Sequence, residues 1–370
     1  MRILMVTPRY FPEMGGVETH VAQVSQRLVQ RGLDVTILTT DRSGRMPAEE
    51  HQAGVHILRV KAWPAERDYH FAPKIAHYIQ AGNWDLMHLQ SYHTLVAPLA
   101  MATAHIKKLP YVVTFHGGGH SSQLRNTARP MQMALLRPLL SRAARLVAIA
   151  RFEIEQYSQA LHVPQDRFTL IPNGVDLGKA VPMQIQPEAG FIVAVGRLER
   201  YKGHQRLISA MPKLLEAVPH ARLRIVGGGP YEQELRRLTA ELSLEDRVEI
   251  GPIPPTDREG MARLLGRAAL VALMSDYETH PIAALEALSL GKPVLATHTS
   301  GLGELADQGL IAAVPLSAGP DEIAQALRAQ LEHPYQPPHL VLPSWDACAQ
   351  GLHELYETIV GRSSQCVFSC

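Results

Sequence analysis

Short apolar runs alternate with helix-length segments along the whole of this chain, and the pattern is laid down twice. In the first half the runs occupy residues 3–7, 35–40, 55–60, 86–89, 111–115, 146–150 and 169–171. In the second they occupy 192–195, 223–226, 248–251, 270–274, 294–297 and 311–314. Runs that are almost continuously apolar, separated by amphipathic helices, specify parallel sheets covered on both faces. Segment 17–30 shows the helical period: Val17, Val21, Val24 and Leu28 share one face, and Arg31-Gly32 ends it. The expected fold class is therefore α/β, with two doubly wound, Rossmann-like domains. A chain of 370 residues also exceeds what a single core supports.

Segment 173–190, with Gly174, Gly178, Pro182 and Pro187 and little periodicity, reads as the link between the halves. The expected domains are 1–182 and 183–343. Pro337, Pro338 and Pro343 break the chain again before a last helix over about 345–360, and the tail 361–370 reads as disordered.

Composition narrows the function. Hydrophobic residues make up 46% and charged residues 19%, which suits a soluble enzyme. The formal net charge of +1 gives no global case for nucleic acid. No apolar run approaches the ~20 residues that span a bilayer. The first residues run straight into a strand without a signal-peptide pattern. Three cysteines, all near the C-terminus, make no disulfide framework and lack zinc spacing, so a reduced cytoplasm is the expected location. Lys107, Lys108, Arg137, Arg142 and Arg145 suit a solvated helix face better than peripheral contact with an anionic membrane.

In doubly wound sheets ligands bind outside the carboxyl ends of the strands. The residues with chemistry fall there: Gly15-Gly16 after the first strand, His116 after 111–115, Arg197 after 192–195, Gly227-Gly-Gly229 after 223–226 and Glu278 after 270–274. Drawn from both halves, they predict two domains facing each other across a cleft. Glu278 and Glu286 are the most telling pair. Pro281 fits the first turn of a helix that runs to about Leu290, so Glu278 stands at its positive mouth and Glu286 lies about five residues inside, roughly 7 Å further on. A helix mouth attracts phosphate, and a carboxylate on either side of it accepts from hydroxyls. Sugar, diphosphate and ribose have that layout.

Arg197 and Lys202, in Val195-Gly-Arg-Leu-Glu-Arg-Tyr-Lys-Gly203, offer a guanidinium clamp and a point charge to a diphosphate. Gly15-Gly16-Val17-Glu18 lets backbone amides approach a phosphate at a helix mouth, and it matches neither a dinucleotide fingerprint nor a Walker sequence. His116-Gly-Gly-Gly119-His120 puts an imidazole at a strand end among glycines. Gly227-Gly-Gly-Pro230 fits either the wall of a base pocket or a plain loop. Asp276-Tyr-Glu278 is near an Asp-x-Asp metal signature, but no true Asp-x-Asp occurs, and no metal site is assigned.

Taken in order and at these intervals, the motifs resemble family 4 of the retaining glycosyltransferases, which have the GT-B architecture. They are Gly15-Gly-Val-Glu18, Thr114-Phe-His116, Ile171-Pro-Asn-Gly-Val-Asp176, Val195-Gly-Arg-Leu198 with Lys202-Gly203, Gly227-Gly-Gly-Pro230, and Glu278 to Glu286 followed by Ala287-Leu-Ser-Leu-Gly-Lys-Pro-Val294. The resemblance spans nearly the whole chain. It implies an acceptor-binding domain over 1–182, a donor-binding domain over 183–343, and a C-terminal helix within 344–370 that crosses back to the first. It implies that Arg197 and Lys202 hold the donor diphosphate, Glu286 accepts from the ribose, Glu278 contacts the transferred sugar, His116 lies beside that sugar, and Gly16 lets its loop approach the phosphates. Gly15, Gly228, His280, Pro281 and Ile282 join the donor side; Glu18, His120 and Arg125 are the acceptor-side candidates.

Where the family often has Phe-Gly after the first glutamate, this chain has His280-Pro281. A backbone donor is thereby lost, with the His280 side chain as its replacement. The implied reaction is transfer of a hexosyl unit from a UDP-, GDP- or ADP-linked sugar to an acceptor hydroxyl, with retention, without metal and without a resident cofactor. A nucleotide-sugar epimerase or hydrolase on the same plan, or a non-catalytic nucleotide-sugar-binding protein, are the alternatives.

Overall fold

The structure, a computed structural model, describes residues 1–13, 15–64, 71–117, 123–177, 185–254 and 257–367, with side chains left out for 123–129 and 363–367. The chain divides into two compact units. One takes residues 1–117, 124–174 and the C-terminal stretch from Pro343; the other takes Val175–Leu342. The division at 174/175 falls eight residues before the expected boundary at 182. The reason lies in the Asn173-Gly174 pair. Asn173 is bound to the first unit, and a side chain on Gly174 would collide with the backbone of Ser344 and Trp345, so only glycine lets the returning chain pass.

The first unit runs β1 (Arg2–Val6), α1 (Gly16–Gln30), β2 (Asp34–Asp41), β3 (Glu49–Gln52), β4 (Val55–Lys61), α2 (Lys74–Ala81), β5 (Leu86–Gln90), α3 (Val96–Lys107), β6 (Tyr111–Thr114), α4 (Gln123–Leu140), β7 (Arg145–Ala148), α5 (Arg151–Leu161) and β8 (Phe168–Leu170). Its sheet has the order β3-β4-β2-β1-β5-β6-β7-β8, parallel except for β3. Alternation along β1 shows why both faces are apolar. Leu4 and Val6 pack in a cluster with Ile75 and Met101 of α2 and α3, while Ile3 and Met5 pack in another with Val21, Val24 and Leu28 of α1.

The second unit runs β9 (Phe191–Val195), α6 (His204–Ala217), β10 (Arg222–Val226), α7 (Glu232–Glu241), β11 (Val248–Gly251), α8 (Arg258–Arg267), β12 (Leu270–Leu273), α9 (Ile282–Ser289), β13 (Val294–His298), α10 (Ser300–Asp307), β14 (Ala312–Pro315) and α11 (Pro320–Glu332). Its six strands, all parallel, lie in the order β11-β10-β9-β12-β13-β14. In both sheets the strand order reverses beside the first strand, at β1/β5 and at β9/β12, and such a switch point is where ligands bind.

Helix α12 (Trp345–Val367) returns to the first unit, where Trp345, Leu352 and Tyr356 share the cluster of α1. It corrects the expectation of disorder from 361, because it continues through Gly361 to Val367; residues 368–370, with Cys370, lie outside the described ones. Glycine within a helix costs only about 1 kcal/mol, and Gly361 lies where nothing crowds it. Strand β3 went unread because Glu49-Glu-His-Gln52 has no apolar alternation; it is an exposed antiparallel edge held by β4. Among the described residues no helix is long and apolar enough to cross a membrane.

Candidate functional site

The chain leaving β9 carries Arg197 and then a 3-10 turn, Arg200–Lys202. Gly203 closes that turn at φ 71°, and a side chain there would run into the Met274 carbonyl just beyond β12. The close approach that glycine permits brings Lys202 to the loop after β12. Lys202 Nζ donates to Glu278 Oε1 at 2.5 Å, with both side chains largely buried, and Ser275 Oγ donates to the same oxygen at 3.0 Å. The Glu278 backbone is held from α10: its N–H donates to Ser300 Oγ at 2.8 Å, and its carbonyl accepts from Gly301 N–H at 2.8 Å. Arg197 donates to the Tyr201 hydroxyl at 3.1 Å and pairs with Glu199 at 3.1 Å. Lys202 Nζ also lies 5.4 Å from the Tyr201 ring centre. Arg197 and Lys202 thus flank Tyr201, and Lys202 ties them to Glu278, at the switch point of the second sheet.

The Gly227–Gly229 run supports this arrangement. A Cβ on Gly227 would strike the Gly196 carbonyl, and one on Gly229 the Leu198 carbonyl. Gly228 has open space on its Cβ side, and its carbonyl accepts from Leu198 N–H at 3.0 Å. The glycines let β10 press its carboxyl end against the Arg197 segment and fix it.

Glu286 is the fifth residue of α9, and Pro281 is the residue that caps this helix rather than part of its first turn; Ile282 begins it. The Pro281 carbonyl accepts from Ala284 and Leu285, and the His280 carbonyl accepts from Ile282. Glu286 does not stand alone. Arg258 Nη2, at the start of α8, donates to its Oε1 at 2.5 Å. Burial pushes the Glu286 carboxyl up from its ordinary value; Arg258 opposes that shift and Asp176 adds to it.

In the first unit His116 follows β6 at φ 45°, a left-handed conformation. The next amide, Gly117 N–H, donates to Glu153 Oε1 at 3.0 Å, while Glu153 Oε2 accepts from Ile149 at 2.9 Å. One buried carboxylate thus ties the His116 turn to the start of α5. The His20 ring of α1 meets the His116 ring edge-on at 4.7 Å. His20 donates through Nδ1 to Asn173 Oδ1 at 2.7 Å, and burial pushes the imidazole down to about 4, so it is neutral. Gly15 caps α1 and Gly16 begins it, but a Cβ on Gly15 would lie 2.6 Å from Glu18 Oε2. The Glu18 carboxylate is therefore folded back over the mouth of its own helix, next to the amides expected to approach a phosphate.

His120 lies outside the described residues, as do Gly118, Gly119 and the side chain of Arg125, whose backbone is in α4. Among the residues that matter to the geometry, several were not read from sequence. Arg258 and Glu153 belong to no motif. Ser300 follows a strand with no pattern to mark it. His204 follows Lys202-Gly203 directly and begins α6, buried, with its ordinary value lowered by burial to about 4; its place next to the motif was the available signal. Asp276 pairs with Arg206 at 2.9 Å, so both carboxylates of Asp276-Tyr-Glu278 are matched by a base.

The chain matches two family patterns, Glycosyltransferase Family 4 over residues 14–179 and Glycosyl transferases group 1 over residues 182–340. D-inositol 3-phosphate glycosyltransferase of Nocardiopsis dassonvillei is 27% identical, over 97% of this chain and 93% of that protein. Sucrose-phosphate synthase from Thermosynechococcus elongatus superposes with a TM-score of 0.79 at 22% identity, covering 98% of this chain and 99% of the other. HepE from Anabaena, solved with UDP-glucose, superposes at 0.71 with 19% identity over the whole of both chains. With two doubly wound sheets, motif loops at the carboxyl ends of their strands and both family patterns in sequence order, the chain belongs to the family 4 glycosyltransferases of GT-B architecture.

Proposed function

We propose that this glycosyltransferase moves a hexosyl unit from a nucleotide diphosphate sugar to an acceptor hydroxyl in the cytoplasm, with retention at the anomeric carbon and without a metal or resident cofactor. The observation that carries the reading is the cluster of Arg197, Lys202 and Glu278 at the ends of the adjacent strands β9 and β12. The second unit would bind the donor and the first the acceptor. In the reaction the bond from the anomeric carbon to the diphosphate oxygen breaks, the acceptor oxygen bonds to that carbon, and the acceptor proton passes to the departing phosphate. Arg197 and Lys202 offset the charge that collects on the diphosphate, as fixed cations in a partly buried site do most effectively. Glu278 accepts from hydroxyls of the sugar, Glu286 from those of the ribose, and His116 lies beside the sugar. Because Asp276 and Glu278 each already face a base, the charge balance of the site is met by side chains.

A thermal-shift panel tests the donor reading. UDP, GDP, ADP and their sugars are each added at saturating concentration, with UDP sugars first because HepE was solved with UDP-glucose. One nucleotide series should raise the melting temperature, a ligand at 100 times its Kd adding about 2.7 kcal/mol. No stabilisation by any of them would reject a nucleotide-sugar donor.

A further inference from the structure

A line of buried side chains leads from α12 to His116. Tyr356 is fully buried, and among the described residues its hydroxyl has one hydrogen-bonding neighbour, His88 Nδ1, at 2.5 Å. Burial holds the phenol well above its ordinary value, so it keeps its proton. A buried O–H without an acceptor is strongly disfavoured; the phenol therefore donates, and His88 Nδ1 carries no proton. Burial pushes His88 down to about 3, so its one proton is on Nε2 and donates to Thr114 Oγ1 at 2.7 Å. A bare Nδ1 attracts the Gln90 amide N–H, 3.2 Å away. The Gln90 carbonyl oxygen is thereby turned toward His116 Nε2, at 2.7 Å. That oxygen only accepts, so the His116 proton must be on Nε2.

We propose that Gln90 is a positioning residue for glycosyl transfer: held by Tyr356 and His88, its carbonyl oxygen orients the His116 ring and keeps its proton on Nε2. The proposal rests on the reading of His116 as the group beside the sugar. Two described neighbours of the ring leave its Nε2 proton to Gln90. His20 meets it edge-on as a neutral imidazole, and Glu153 is engaged by the amides of Gly117 and Ile149.

The test is a double-mutant cycle in the full chain. Gln90→Met keeps the side-chain length and removes both hydrogen bonds. It should lower kcat on the order of 100-fold, the cost of misplacing a reacting group by about 1 Å, with donor KM changed less than about twofold. In the residual turnover of His116→Ala the same replacement should cost less than about twofold, because Gln90 acts only through the ring. Tyr356→Phe should produce a smaller loss with the same dependence on His116. Near-normal turnover in His116→Ala would overturn the reading of His116 and this inference with it. A crippled His116→Ala beside a normal Gln90→Met, or a Gln90→Met loss undiminished without the ring, would overturn the role of Gln90 alone. Nitrogen-15 NMR of the unaltered protein is an independent check, with the His116 signals assigned by their absence in His116→Gln. A protonated Nε2 and bare Nδ1 are expected; the opposite tautomer would contradict the proposal.

Discussion

Replacement of Arg197 by alanine is expected to lower turnover on the order of 100-fold or more, by analogy with the loss of one preorganised transition-state donor. The fold should survive. The Arg197 side chain is 54% exposed, so solvent screens its pairing with the more buried Glu199, and its removal costs less stability than removal of a buried partner. Lys202→Ala should be as damaging to turnover but should also lower the melting temperature, because Lys202 is the base paired to a largely buried Glu278. Removing one member of such a pair strands the other, at a cost of about 3–5 kcal/mol in fully buried cases. Rates and melting curves measured together separate the two effects. Near-normal rates in both variants would remove the diphosphate assignment.

The second large effect separates the glutamates. Glu278→Ala is expected to abolish most turnover while free-nucleotide affinity stays close to that of the unaltered chain, since a group that meets only the reacting sugar contributes mainly in the transition state. Its loss also leaves Lys202 without its carboxylate, which favours an anionic ligand rather than opposing it. Glu286→Ala is expected to weaken free nucleotide and nucleotide sugar alike, by about 1–3 kcal/mol for a lost acceptor to a buried partner. Here the structure adds something the sequence did not contain: Arg258 already occupies Glu286 Oε1. Arg258→Ala should therefore also change nucleotide affinity while leaving the Glu278-dependent step intact. Calorimetric titration of the variants with free nucleotide decides the matter, and equal losses for Glu278→Ala and Glu286→Ala would refute the division of labour.

What was legible in the sequence was whatever has a period or a breaker. Buried parallel strands are nearly continuous apolar runs, and every expected run but its exact ends became a strand. Glycines were legible as well, but not the contacts they permit. Gly203, Gly227 and Gly229 serve close backbone approach around the Arg197 segment. The partners of the motif residues were not legible. Glu153, Arg258 and Ser300 lie 36, 28 and 22 residues from the groups they hold, and nothing local distinguishes them. The same applies to the Gln90, His88 and Tyr356 line, whose last link joins residues 268 apart. Such partners are set by tertiary packing, which a single chain of letters does not encode at any fixed spacing. The helical end at 361–367 was missed because a glycine is a weak stop when it is solvated.

The measurement closest to the central claim is proton NMR of the product formed from an anomerically pure nucleotide sugar, in excess EDTA, with an acceptor found by screening. The account predicts a new glycoside with the donor's own anomeric configuration, formed at an undiminished rate with the chelator present and lost in Arg197→Ala. An inverted product, a rearranged donor in the absence of acceptor, or a rate that EDTA abolishes and magnesium or manganese restores would contradict it.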